Sequence, residues 1–367
     1  VAATEEAASA VALAYQSSVV TLSGRLSAVL ATLWASVDLA SVEASWGSRL
    51  GEAAGAFTAA QTAAAGMADG YVESALVSQD VNLPPAGTVA PEAFSGVAAS
   101  GLAPEELLRI PAVRALGLLR QGAPPDVVRR AGGHALSMYA ATEVADAARL
   151  STQTAMASRR VGGYIRIVGA RCCSRCAILS GRWYRWSSGF RRHPRCRCVS
   201  LPAHHPSAVE APDPMRLWRE GRITDLTGDE RHALDLGADL GQVVNSRRGL
   251  YVAGGHEYTR EGTTRRGIAG ARILARDIAR AGGASPGGVY TNFTTTRAEV
   301  AAATAKYGPV MRRGIPFQRR TPTGRTTSAY RYTRSGRMSV SEILRTSTSR
   351  DDAIRQMINH GYILRLP

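Results

Sequence analysis

Two half-sites for a soft metal ion lie in one short stretch of this chain: Cys173 and Cys176 as C-x-x-C, then His193, Cys196 and Cys198 as H-P-x-C-x-C. No other feature restricts the fold as much, because one tetrahedral ion gripping both halves closes the chain between them into a compact knuckle. C-x-x-C supplies two thiolates from a single tight turn. The distal half offers more donors than places: Cys196 and Cys198 share one face of an extended segment, while His193 and Cys196 chelate equally well across the Pro194 turn. Spacing leaves the fourth ligand open. Cys172 is the expected spare, its side chain diverging from that of Cys173.

Zinc is the expected ion. A site closed by four protein ligands has no open position for water, so its expected role is structural. Five cysteines, an odd number, do not suit a framework of paired disulfides. Nearby arginines lower thiol pKa values, which favours metal-bound thiolates but also a redox pair, the alternative chemistry. A nuclease on a similar scaffold wants carboxylates or a second histidine beside the metal. From 147 to 209 there is no Asp or Glu, while arginines recur, among them Arg149, Arg159 and Arg166. No enzyme is expected.

The chain carries a formal charge of +16 over 367 residues, almost wholly as arginine, since Lys306 is the only lysine. Anionic partners follow, although a GC-rich genome gives the same arginine bias without any binding role. Arg182, Arg185, Arg191 and Arg192 are the candidate phosphate contacts around the knuckle. A second acid-free segment, 300–341, adds Arg312, Arg313, Arg319 and Arg320, and its low apolar content predicts a flexible basic arm. Charged residues interrupt the apolar N-terminal third, so no membrane span or membrane partner is expected. The opening VAATEEAASAVALAY has acids where a secretory leader has bases, which predicts assembly in the cytoplasm.

Periodicity divides the chain into an Ala-rich helical domain (1–81), a Pro/Gly/Ala/Ser-rich linker (82–103), a core with the Cys/His knuckle (104–205), a short-helix region (206–299), the basic arm (300–341) and a C-terminal helical segment (342–367). Trp34 and Trp46 flank a break in the first helical pattern and are expected to anchor packing. VGGYIRIV (161–168) and CRCVSL (196–201) alternate like strands on either side of the knuckle. Thr227 with Glu230 and Ser339 with Glu342 read as capping boxes, Asp239 and Ser349 as helix caps, and His360 with Gly361 as a helix stop. The predicted fold class is mainly α, with a small β-hairpin and zinc-knuckle α+β module in the middle and short helices in the C-terminal third.

Gly283, Ser285 and Gly287 match G-x-S-x-G, but Pro286 after the serine lacks the N–H an oxyanion hole needs, and no strand precedes it. The competing functional reading is a zinc-containing, sequence-specific DNA-binding regulator. Its helix-turn-helix would span 227–248, with Gln242, Asn245 and Arg247 as base readers. Val243 and Val244 in the same helix suit plain packing.

The stretch VGGYIRIVGARCCSRCAILSGRWYRWSSGFRRHPRCRC resembles the core motif of MuF-like minor head proteins of tailed bacteriophages, in order and in spacing. The likeness is strongest over 125–205, with Leu179, Ser180 and Gly181 at the family's Leu-x-Gly segment. GADLGQVVNSRRG, EGTTRRGIAGARI and DDAIRQMINHGYIL resemble actinobacteriophage members more loosely. The resemblance implies a low-copy virion protein at the portal vertex or head interior that helps assembly or DNA delivery. Its implied partners are the portal protein, the major capsid protein and the phage double-stranded DNA.

Overall fold

The computed structural model describes residues 2–204, 213–261, 314–320, 326–332 and 337–363. It is mainly helical with small antiparallel sheets, as the sequence predicts, and divides into two compact units, Val1–Thr224 and Asp225–Pro367.

The first unit is a helical bundle carrying the knuckle. Its helices are α1 (Ala2–Ala35), α2 (Val42–Gly47), α3 (Leu50–Gly66), α4 (Ala68–Val77), α5 (Pro104–Arg120) and α6 (Pro125–Ser158). Pro104 and Pro125 each occupy the first helical turn, where a missing N–H costs nothing. α6 is the axis, packed by α1, α3, α4 and α5. By length and composition α1 suffices to cross a bilayer, and within the unit it buries a stripe through Ala8, Ala12, Val19, Leu26 and Leu30.

Trp34 and Trp46 are both buried and meet edge to face at 5.2 Å. Their indole N–H groups donate to Arg129 O (3.0 Å) and Leu108 O (2.7 Å), so each tryptophan ties one helix to another. Residues 82–103 hold only a short 3-10 turn, Pro91–Phe94, but are fastened to the bundle. Asp69 accepts from Val89 N, the Gln61 amide bonds Gly96 N and Val97 O, and Glu143 accepts from Ala99 N. The helices before and after this segment therefore share one core.

The knuckle follows α6: β1 (Gly163–Ile167), α7 (Ser174–Ala177), β2 (Trp183–Arg185) and β3 (Val199–Ala203), followed by α8 (Pro214–Arg219). The strands form an antiparallel sheet in the order β2-β1-β3, with Ile165 opposite Trp183 on one side and Leu201 on the other. The two predicted strands are β1 and β3, and β2 is an addition. Both faces of β1 and β3 are buried, because β3 packs on α1, α4 and α6. Tyr71 of α4 donates to Ser200 O (2.9 Å) and stacks on Tyr15 of α1, whose hydroxyl donates to Ala148 O (3.1 Å).

The second unit contains α9 (Gly228–Asp235), α10 (Leu240–Ser246), β4 (Leu250–Ala253), β5 (His256–Thr259), β6 (Gly314–Arg320), β7 (Thr326–Tyr332), β8 (Arg337–Met338), α11 (Val340–Thr346) and α12 (Arg350–Asn359). The predicted caps at Thr227, Asp239 and Ser349 are formed, with Glu230 completing the Thr227 box. Only half of the Ser339 box forms. Ser339 Oγ accepts from Glu342 N, but the Glu342 carboxylate turns to His256 and Arg345. His360 is buried and accepts from Met338 N, a structural role as expected.

The predicted basic arm is described only at 314–320, 326–332 and 337–341. Within 300–341, β6 and β7 pair antiparallel from Gly314 opposite Tyr332 to Arg320 opposite Thr326, and β8 adds to β5. Thr and Tyr recur through TTSAYRY, residue types that favour strands and outweigh the low apolar content. Arg337 is fully buried: it donates to His360 O and Gly361 O and lies 3.9 Å above the Tyr362 ring.

Candidate metal centre

All five predicted donors converge beside the β2-β1-β3 sheet. Cys173 caps the N-terminus of α7, where its Sγ accepts from Cys176 N at 3.4 Å. That turn makes C-x-x-C a chelate. The donors form two triads, Cys173–Cys176–His193 and Cys176–Cys196–Cys198, within each of which the ligating atoms lie no more than 4.8 Å apart. Cys176 belongs to both. His193 Nε2 stands 3.1 Å from Cys173 Sγ and 3.4 Å from Cys176 Sγ, and Cys176 Sγ stands 3.8 Å from Cys196 Sγ.

These separations can be compared with the edges of a coordination tetrahedron. Zn–S bonds of about 2.3 Å put tetrahedral sulfurs about 3.8 Å apart. The spacing of Cys176 and Cys196 fits, and the donor set suits zinc chemically. His193 Nδ1 lies 2.7 Å from Pro194 O, which leaves Nε2 toward the thiols and fixes the ring as an outer-shell bond does for a metal ligand. Cys172 lies outside both triads and bridges through its backbone to Ile223.

The metal-free thiols have strongly divided proton affinities. A hydrogen bond from Cys176 lowers Cys173 to about 6, assisted by the His193 imidazole. Cys176, buried among Cys173, Cys196 and Cys198, keeps its proton by hydrogen bonding to those sulfurs and is raised. Its bond to Cys196 lowers that thiol, with Cys198 and Arg149 acting the same way. The Cys176 bond also pulls Cys198 down, yet its bond to Cys196 and burial push it up to about 12. Four sulfurs thus share protons that a metal would displace, which couples binding to pH.

Several arginines of this acid-free stretch are engaged within the protein. Arg149, buried on α6, donates to the carbonyls of Cys196 and Cys198 and pairs with Asp146 at 2.5 Å. Arg192 also pairs with Asp146, while its side chain stays 33% exposed at the surface. Arg159 pairs with Glu73, and Arg166 is buried against the cysteine sulfurs. Sequence reading counted the charge of Arg149 and Arg166 and missed their function. The available signal was an arginine at the centre of the apolar run VGGYIRIV.

Arg182, Arg185 and Arg191 remain at the exposed surface, with half-exposed Trp186 next to Arg185. Arg319 and Arg320 lie in β6, whereas Arg312, Arg313 and the G-x-S-x-G segment fall outside the described residues.

The proposed DNA-reading helix is α10. Val243 and Val244 are fully buried, Gln242 Oε1 accepts from Arg337, and Arg247 is held by Glu230 and Asp225. Two of the three nominated base readers are therefore engaged internally, which weighs against groove readout. Comparisons with protein-family models, curated proteins and solved structures return no match for this chain.

Proposed function

We propose that this chain is a minor head protein of a tailed phage, a non-enzymatic component whose knuckle is stapled by one structural zinc ion. The observation that carries the reading is the convergence of the MuF-like C-x-x-C and H-P-x-C-x-C donors into one carboxylate-free cluster. Four soft ligands close a zinc ion to solvent, and such an ion holds a fold together rather than activating water.

In this reading the protein resides at the portal vertex or in the head interior, beside portal protein, major capsid protein and packaged double-stranded DNA. Support comes from the motif resemblance and from a basic surface containing Arg182, Arg185 and Arg191, which suits phosphate neutralisation without base readout. The test is quantitative peptide analysis of purified virions before and after DNA release, with zinc measured on the purified chain. Portal-like, low stoichiometry in virions and one zinc per chain are expected. Absence from virions would overturn the head-protein role and promote the DNA-binding regulator.

A further inference from the structure

Arg166 occupies β1 with 1% of its surface exposed. Its Nη2 lies 3.2 Å from Cys176 Sγ, 3.4 Å from Cys198 Sγ and 3.7 Å from Cys196 Sγ. Nη1 donates to Arg191 O at 3.2 Å, and the guanidinium lies 4.2 Å above the Phe190 ring. No carboxylate forms an ion pair with it among the described residues. The neighbouring buried acid, Asp146, is already occupied by Arg149 and Arg192. A guanidinium keeps its proton under all ordinary conditions and is costly to bury without an anion. Cysteine sulfurs are the groups this one faces.

We propose that Arg166 is the built-in counter-cation of the metal centre, a positioning residue that selects three thiolates and His193 as the ligand set. The inference rests on the zinc reading above. A divalent ion bound by three thiolates and a neutral imidazole carries one net negative charge, which one guanidinium neutralises. Four thiolates would carry two, one more than Arg166 itself neutralises. The same side chain holds the carbonyl of Arg191, two residues before His193, and so ties down the loop that delivers the imidazole. Cys173, Cys176 and His193 form the outer triad, and one of Cys196 and Cys198 completes the set while the other remains a hydrogen-bonded thiol.

The test uses the intact chain as wild type, R166Q and R166K, each loaded with zinc and, separately, with cobalt(II). Zinc affinity, read by chelator competition, is expected to fall tenfold to about a hundredfold in R166Q, the range for loss of an outer-shell partner. R166K, which keeps the cation but not the fork, should retain more affinity than R166Q. In the cobalt forms the sulfur-to-metal charge-transfer band should move to lower energy in R166Q, because the sulfurs lose a neighbouring positive charge. Its wild-type intensity should correspond to three thiolates, a measurement independent of how any variant folds. A four-thiolate wild-type spectrum, or R166Q with unchanged affinity and band position, would overturn the role of Arg166 while leaving zinc in place. A folded R166K that loses zinc as fully as R166Q would exclude charge as the cause. Wild type that binds neither metal would instead remove the zinc reading and this inference together.

Discussion

Gly132 of α6 lies directly under Trp34 of α1, so close that a methyl group at residue 132 would sit 2.1 Å from the indole ring. At neighbouring Gly133 the nearest atom to such a methyl, Trp34 Cδ1, is at 3.9 Å, an ordinary contact. Two adjacent glycines in one helix thus have opposite packing constraints.

The consequence is a pair of substitutions with opposite signs. Gly132→Ala is expected to destabilise the first unit by about 1–3 kcal/mol through overpacking. Gly133→Ala should stabilise it by about 0.5–1 kcal/mol, the helix-propensity gain of alanine over glycine. Urea unfolding followed by tryptophan fluorescence measures both. Equal effects of the two variants would contradict the Gly132–Trp34 fit.

Cys176 stands in both donor triads and Cys172 in neither. Cys176→Ser is therefore expected to abolish stoichiometric zinc binding and loosen the knuckle, while Cys172→Ser keeps the wild-type metal content. Metal analysis after gel filtration, with near-ultraviolet circular dichroism as the structural readout, decides the matter. Full zinc retention by Cys176→Ser would remove the metal assignment.

These outcomes also mark what the chain reveals before folding. The donors, flanking strands, tryptophan anchors and most helix caps are local in sequence, so spacing exposes them. Arg149, Arg166 and Arg337 were not legible as interior residues, because their partners lie far away: the carbonyls of Cys196 and Cys198, the cysteine sulfurs, and the carbonyls at the end of α12. Alternation could not place Arg166 either, since every residue of β1 is buried on both faces of the sheet. The pairing of 314–320 with 326–332 was hidden for a related reason: it depends on backbone hydrogen bonds that a count of charges and apolar residues does not register.

Glu342 gives the second unit an acid-sensitive contact. Arg345 first and His256 next hold its carboxyl at about 2, below the ordinary 4.5. A carboxylate depressed on folding contributes stability that is complete above its unfolded value and lost as pH falls toward its folded one. The second unit should therefore lose stability as pH drops from about 4.5 to about 2, and Glu342→Gln should flatten that window while lowering stability at neutral pH. Thermal scans of the intact chain across this range test the sign. An unchanged acid limb in the variant would assign the loss to other groups.

Arg182 and Arg185 are exposed and are not held by any acid among the described residues. If they contact DNA through phosphates alone, binding should be weak, insensitive to sequence and steeply salt-dependent. Replacing both with alanine should reduce the slope of log affinity against log salt by about 2. Fluorescence anisotropy on duplexes of unrelated sequence provides the measurement. Tight binding to one short duplex at physiological salt would favour the regulator.

The bond from Tyr71 to Ser200 has a temporal consequence for a chain emerging from a ribosome. α1 and α4 pack directly against β3, a strand that is synthesised more than a hundred residues after either helix. Local helices form within microseconds, whereas translation supplies about 5–20 residues per second. The early helices therefore wait for seconds with the surface meant for Val199–Ala203 uncovered. During that interval the nascent bundle presents an apolar seam to chaperones and to other unfinished copies, so the rate of translation through the knuckle sets how long this protein is vulnerable to misassembly.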